Sequence, residues 1–103
     1  MKLGDTSIEL VSDGNFLLDG GILFGAVRRT VWEAQLKPDR TNRVRLGLNC
    51  LLIQTGSENI LVDTGAGGKR SERLKDAYGL SGNKLLTGLR RHGITACDVD
   101  KVV

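Results

Sequence analysis

The segment from Asn49 to Lys69, Asn-Cys-Leu-Leu-Ile-Gln-Thr-Gly-Ser-Glu-Asn-Ile-Leu-Val-Asp-Thr-Gly-Ala-Gly-Gly-Lys, constrains the fold of this chain more than any other stretch. Apolar runs at Cys50 to Ile53 and Ile60 to Val62 flank the polar tetrad Gly56, Ser57, Glu58 and Asn59, which is the pattern of a β-hairpin. Neither run alternates between apolar and polar residues, so both faces of the hairpin are expected to be covered. That places it in a layered α/β domain with helices over the sheet.

The second run delivers Asp63 directly into Thr64, Gly65, Ala66, Gly67 and Gly68. A carboxylate at the end of a buried strand must be hydrogen-bonded or charge-paired. The glycines after it allow a sharp backbone turn and leave room for an approaching group. Strand ends followed by such loops are where layered α/β proteins place their sites. Local chemistry equally admits a plain turn, in which Asp63 and Thr64 only cap backbone amides, and by frequency it favours that turn.

These residues resemble the first motif of the metallo-β-lactamase-fold hydrolases. Three further pieces agree in order and spacing: Leu18-Asp19-Gly20-Gly21 with Phe24-Gly25, then Trp32-Glu33, then Gly93-Ile94 leading to Asp98 through Val103. The resemblance covers nearly the whole chain. It implies an α/β fold that is half of a four-layer αββα sandwich, with a mixed, mostly antiparallel sheet and helices on one face. Residues 1–103 would then be the N-terminal portion of a single domain, lacking the His-x-His-x-Asp-His zinc motif that follows such an ending in that family.

The same resemblance implies a zinc-dependent hydrolase, with two zinc ions in the parent protein and none held by this stretch alone. Metal-bound hydroxide would attack an ester, lactone or phosphoester-type small molecule. The Asp-Gly-Gly and Phe-Gly pieces point to the lactonase and organophosphate-hydrolase-like branch. Asp63, with Thr64 and Gly65, would support the metal-binding loops without binding metal. Ile22, Phe24 and Trp32 would contribute to a substrate rim, although their apolar character alone places them in a core. No catalytic residue and no metal ligand is expected among these residues, and the rest of the domain or a second copy of the chain is the expected partner.

Composition narrows the alternatives. The 103 residues allow one small domain, with ordinary apolar and charged shares. A nuclease of the same superfamily is the alternative enzyme. The net charge of +3 is small, however, the arginines are scattered, and only 4% of residues are aromatic, which argues against nucleic acid. A non-catalytic interaction module is the third class. No run is long enough to span a bilayer and Met1 to Asp5 lacks a secretory core, so the expected location is the cytoplasm. Cys50 and Cys97 are too far apart for a C-x-x-C pair and read as free thiols. The single histidine, His92, follows Arg90 and Arg91 at a helix C-terminus, where the helix dipole accounts for it.

Along the rest of the chain, Ser7 to Val11 and Phe16 to Leu18 read as a first hairpin around Asp13-Gly14-Asn15. Gly25 to Leu36 reads as a short helix with Ala26, Val27, Val31, Trp32 and Leu36 on one side and an Arg29–Glu33 pair on the other. Asp39 to Arg45 reads as a solvated loop. A helix over Lys69 to Tyr78 would face Leu74, Ala77 and Tyr78 inward, with Arg70, Arg73, Lys75 and Asp76 wet and Gly79 as C-cap. A second helix over Asn83 to His92, capped near Asn83 or Ser81, would set Leu85, Leu86 and Leu89 on the sheet. Thr95 and Asp98 suggest a one-turn capping motif before a buried strand at Val99 to Val103 that lacks a partner.

Overall fold

The computed structural model describes residues 1–69 and 71–103. The elements in chain order are β1 (Lys2–Leu3), β2 (Thr6–Asp19), α1 (Gly20–Phe24), α2 (Arg29–Trp32), β3 (Arg43–Gln54), β4 (Asn59–Val62), α3 (Glu72–Tyr78), β5 (Ser81–Gly82), α4 (Leu85–Arg91), a 3-10 turn at Ala96–Asp98, and β6 (Lys101–Val102). They form a mixed α/β structure around one sheet of order β1-β2-β3-β4-β6, with β5 paired to β2. All pairings are antiparallel except β4 with β6.

The expected central hairpin is present, with Leu51 opposite Val62 and Gln54 opposite Asn59. Its first strand begins earlier than its apolar run, at Arg43, so the segment read as a solvated loop is partly strand. Arg43 and Arg45 alternate there with Val44, which is buried.

The first hairpin is not formed. Residues 6–19 are one continuous strand paired along its length with β3, and the Asp-Gly pair is a β-bulge inside it. Val11 pairs with Cys50, whereas Phe16 pairs with Leu46. Cys50 and Leu46 share a face of β3, so the bulge shifts the inward set of β2 from odd to even positions. One extra residue changes the face that the strand presents without reversing the chain. Gly14 is needed at this point. Its φ is 118°, and a Cβ there would fall on the carbonyl of Ser81 in β5.

The core lies on one face of the sheet. Val11, Cys50, Leu52 and Leu61 from the strands meet Leu89 of α4 and Ile94 after it, with Leu85 and Val99 packed against them. The opposite face carries Ile8, Leu10, Leu51, Ile53, Ile60 and Val62, none of them buried, and Leu10 is 68% exposed. The expectation of a hairpin covered on both sides therefore holds for one side among the described residues.

The helices differ in detail from the periodic reading. Of the single helix expected over Gly25 to Leu36 only Arg29–Trp32, α2, is α-helical; the separate α1 precedes it, with Asp19 capping its start by accepting the N–H groups of Gly21 and Ile22. Arg29 does pair with Glu33 at 2.9 Å. Val27, Val31 and Leu36 stay exposed. In α3 no residue is buried, so the inward side assigned to Leu74, Ala77 and Tyr78 is not used. Its C-terminal end is as expected, with Gly79 at φ 50° closing it, whereas it begins at Glu72 instead of Lys69, capped by Ser71. Arg70 of that expected helix lies outside the described residues.

Helix α4 buries Leu89 but leaves Leu86 49% exposed. Neither Asn83 nor Ser81 caps it. The Thr95–Asp98 capping box is formed, with the Thr95 N–H donating to Asp98 at 2.8 Å. Among the described residues no helix is long and apolar enough to cross a membrane.

Candidate functional site

Strand β4 is paired on both sides, by β3 and β6, and ends at Val62. Asp63 then leaves the sheet with φ 68°, and its Oδ1 accepts the N–H groups of Thr64 at 2.6 Å and Gly65 at 3.0 Å. This is an Asx turn. Asp63 and Thr64 are exposed, so the buried carboxylate expected at the strand end is not Asp63. The positive φ swings the residue out of the pleat, and its side chain turns back on its own loop.

The buried carboxylate is that of Asp13, 1% exposed, on the bulge of β2. One oxygen accepts the N–H of Ala66 at 2.9 Å, and the other accepts the N–H of Leu85 at 3.0 Å. Asp13 thus joins the glycine loop to the first residue of α4 and supplies the cap that α4 lacks locally. Gly65 sits against this carboxylate with φ 68°, and a Cβ added there would fall on it. In the sequence Asp13, followed by Gly14 and Asn15, has the character of a turn residue. The change of apolar phase from Val11 to Phe16 and Leu18 is the signal that could have identified a bulge, and with it an inward Asp13.

Cys50 lies beneath the same loop, 1% exposed. Burial pushes its thiol up, the Asp63 and Asp13 carboxylates act in the same direction, and a backbone N–H from Gly65 opposes them. Beside the loop is a cavity of about 330 Å³, bordered by Asp13, Ala66, Gly67, Gly68, Lys75 and Asn83.

The expected rim residues lie elsewhere. Phe24 stacks on Trp32 with ring centroids 4.8 Å apart and an interplanar angle of 15°. Trp32 is buried at 4% exposure, with its ring against Gly20, so it serves as packing behind Phe24 and presents no face outward. Ile22 is 73% exposed. Neither Ile22, Phe24 nor Trp32 borders the cavity at the glycine loop.

Among the described residues no three His, Cys, Asp or Glu side chains converge to hold a metal ion. His92 is the C-cap residue of α4. A zinc site needs three or four such donors, so the residues present do not fit one.

Solved structures share this fold. A probable metal-dependent hydrolase from Staphylococcus aureus matches with a TM-score of 0.93 and 33% identity, over 99% of this chain and 38% of that one. AidC, a dizinc quorum-quenching lactonase solved in complex with a product, matches at 0.71 and 23% identity, over 99% of this chain and 33% of its own. The hydrolase AbOPH, in the beta lactamase superfamily, matches at 0.69 and 22% identity, with the same two shares. The chain has the metallo-β-lactamase fold, as a fragment of it.

The more distant two matches bear on the fold alone, and all three agree with a sheet carrying helices on one face as a fragment of the superfamily's sandwich. The chain spans 33% to 38% of the length of these structures. No family model matches it, and no curated protein matches it by sequence.

Proposed function

We propose that residues 1–103 are the N-terminal portion of a single metallo-β-lactamase-like domain, in a zinc-dependent hydrolase that acts on an ester, lactone or phosphoester-type small molecule. The likeness to a probable metal-dependent hydrolase over 99% of the chain carries this reading. The zinc and lactone elements find support in the dizinc lactonase that shares the fold. The zinc ligands, for two ions, come from sequence outside these residues.

Within this reading the chain contributes a platform. Asp63, Thr64 and Gly65 shape the loop that supports the metal-binding segments, and Ile22 and Phe24 lend apolar surface to the substrate rim with Trp32 behind them. The open face from Ile8 to Val62 is covered by the remainder of the domain, or by a second copy of the chain. The protein works in the cytoplasm on a small molecule.

The test uses the protein with its natural flanking sequence. Elemental analysis is expected to find about two zinc ions per chain, and the metal-loaded protein is expected to hydrolyse one of a panel of acyl lactones, aryl esters and phosphotriesters. Absence of bound metal together with no turnover on all three classes would overturn the proposal.

A further inference from the structure

Asp13 is the one buried charged side chain among the described residues. It bridges segments distant in sequence, since Ala66 and Leu85 lie 53 and 72 residues further on. Its own carbonyl also accepts the Lys84 N–H, at 3.4 Å. A buried carboxylate is expensive to desolvate, and an apolar residue of similar volume is often at least as stabilising. What the carboxylate offers is two acceptors and no donor. Asparagine has one acceptor oxygen, so one of the two amides would face its NH2 group. Glutamate keeps both acceptors but places them one methylene further out, into the space that Gly65 fills.

We infer that Asp13 is a positioning residue: its carboxylate fixes the glycine loop, Asp63 to Gly68, against the start of α4, and so sets where the turn of Asp63 and the wall of the adjoining cavity stand during the reaction. The consequence for catalysis rests on the hydrolase reading above, whereas the clamp itself does not.

The experiment compares the full-length protein with Asp13→Asn and Asp13→Glu, and two measurements are made on each. Amide hydrogen exchange is followed at Ala66 and Leu85, with Leu52 and Leu61 in the core strands as reference. Asp13→Asn is expected to speed exchange at Ala66 or Leu85 by about tenfold or more while Leu52 and Leu61 keep wild-type rates. Uniform acceleration at all four positions, or wild-type rates at Ala66 and Leu85, would overturn the clamp. Should Asp13→Asn fail to fold, Gly65→Ala presses on the same carboxylate from the loop side and is expected to give the same local pattern.

Steady-state hydrolysis and zinc content form the second measurement. Asp13→Asn is expected to lower kcat by about tenfold with KM and zinc stoichiometry near wild type, and Asp13→Glu, which crowds Gly65, to lower kcat as well. Unchanged kcat alongside accelerated exchange would overturn the positioning role. If the wild-type protein shows no hydrolysis, the hydrolase reading is what fails, and the exchange data still decide the clamp.

Discussion

Asp63 donates its backbone N–H to the carbonyl oxygen of Val103 at 2.9 Å, and Val103 in turn donates its N–H to Leu61 at 2.9 Å. The parallel edge strand β6 therefore runs directly up to the residue that opens the glycine loop. The Asp63 backbone is held by the sheet while its side chain serves the turn. Strand end and loop start are fixed by separate sets of hydrogen bonds.

That separation makes the series at Asp63 informative. With φ at 68°, alanine there would both lose the two side-chain bonds and occupy a disfavoured region, at a combined cost of about 2 kcal/mol. Glycine loses the bonds but tolerates the backbone. Asparagine keeps an acceptor and tolerates the backbone. Denaturant unfolding is expected to rank Asp63→Asn above Asp63→Gly above Asp63→Ala in stability. In the proposed hydrolase, Asp63→Ala lowers zinc content or activity more than it lowers yield. Unchanged zinc and activity would leave Asp63 a turn residue only.

Gly65 and Asp13 should be energetically coupled. Gly65→Ala carries two penalties, the positive φ and the collision with the Asp13 carboxylate. In an Asp13→Gly background the second disappears, because every atom the added Cβ would meet belongs to the Asp13 side chain, so the double mutant is expected to be more stable than the sum of the single changes predicts, by about 1 kcal/mol or more. Strict additivity in a double-mutant cycle would show that the two side chains do not meet.

The covered and open faces of the sheet predict opposite behaviour. Leu52 is fully buried, and Leu52→Ala is expected to cost about 2–5 kcal/mol in any form of the protein. Leu10 is 68% exposed here. Leu10→Ala is expected to stay within about 0.5 kcal/mol in this chain alone and to become clearly destabilising in the longer protein, where the face is proposed to be covered. Equal, small effects of Leu10→Ala in both would argue that nothing packs on that face.

What the residues made legible follows from how local each signal is. The Gly56–Asn59 turn, the Asp19 break, the Arg29–Glu33 pair, the Gly79 cap and the Thr95–Asp98 box each depend on neighbours a few residues away, and each is present. The failures are non-local. Asp13-Gly14 has the same chemistry in a turn and in a bulge, and only pairing with β3 decides between them. Helix α4 takes its cap from a carboxylate 72 residues upstream, which no inspection of Ser81 or Asn83 could show. Val44 looked like part of a charged loop because Arg43 and Arg45 flank it. Of the candidate site, the loop was legible and its support was not.

Asp39 gives a pH-dependent test away from the site. It accepts N–H groups from Arg43 and Thr41, the Thr41 hydroxyl and the Arg43 guanidinium. The Arg43 amide is the largest cause holding its carboxyl down to about 2 from the usual 3.8, with Thr41 and the Arg43 side chain adding to it against some desolvation. A carboxyl with a lowered folded value contributes stability that is fully present above 3.8 and lost as pH falls towards about 2. The stability difference between wild type and Asp39→Asn should therefore shrink across that window. Urea unfolding at a series of pH values checks this, and a constant difference would refute it.

The two cysteines report on the loop from below and from outside. Cys97 is exposed and Cys50 is buried, with its thiol pushed up by burial and by the Asp63 and Asp13 charges. Because the thiolate is the reacting form, alkylation near neutral pH should label Cys97 promptly and Cys50 only when the loop opens or the protein unfolds. The Gly65 backbone lies close enough to Cys50 to oppose that rise in its pKa, so loosening the loop through Gly65→Ala or Asp13→Asn should speed Cys50 labelling while Cys97 keeps its rate. Mass spectrometry of peptides after timed alkylation separates the two sites. If Cys50 in the folded wild-type protein reacts as fast as Cys97, the glycine loop does not close over it, and the clamp at Asp13 has nothing to hold in place.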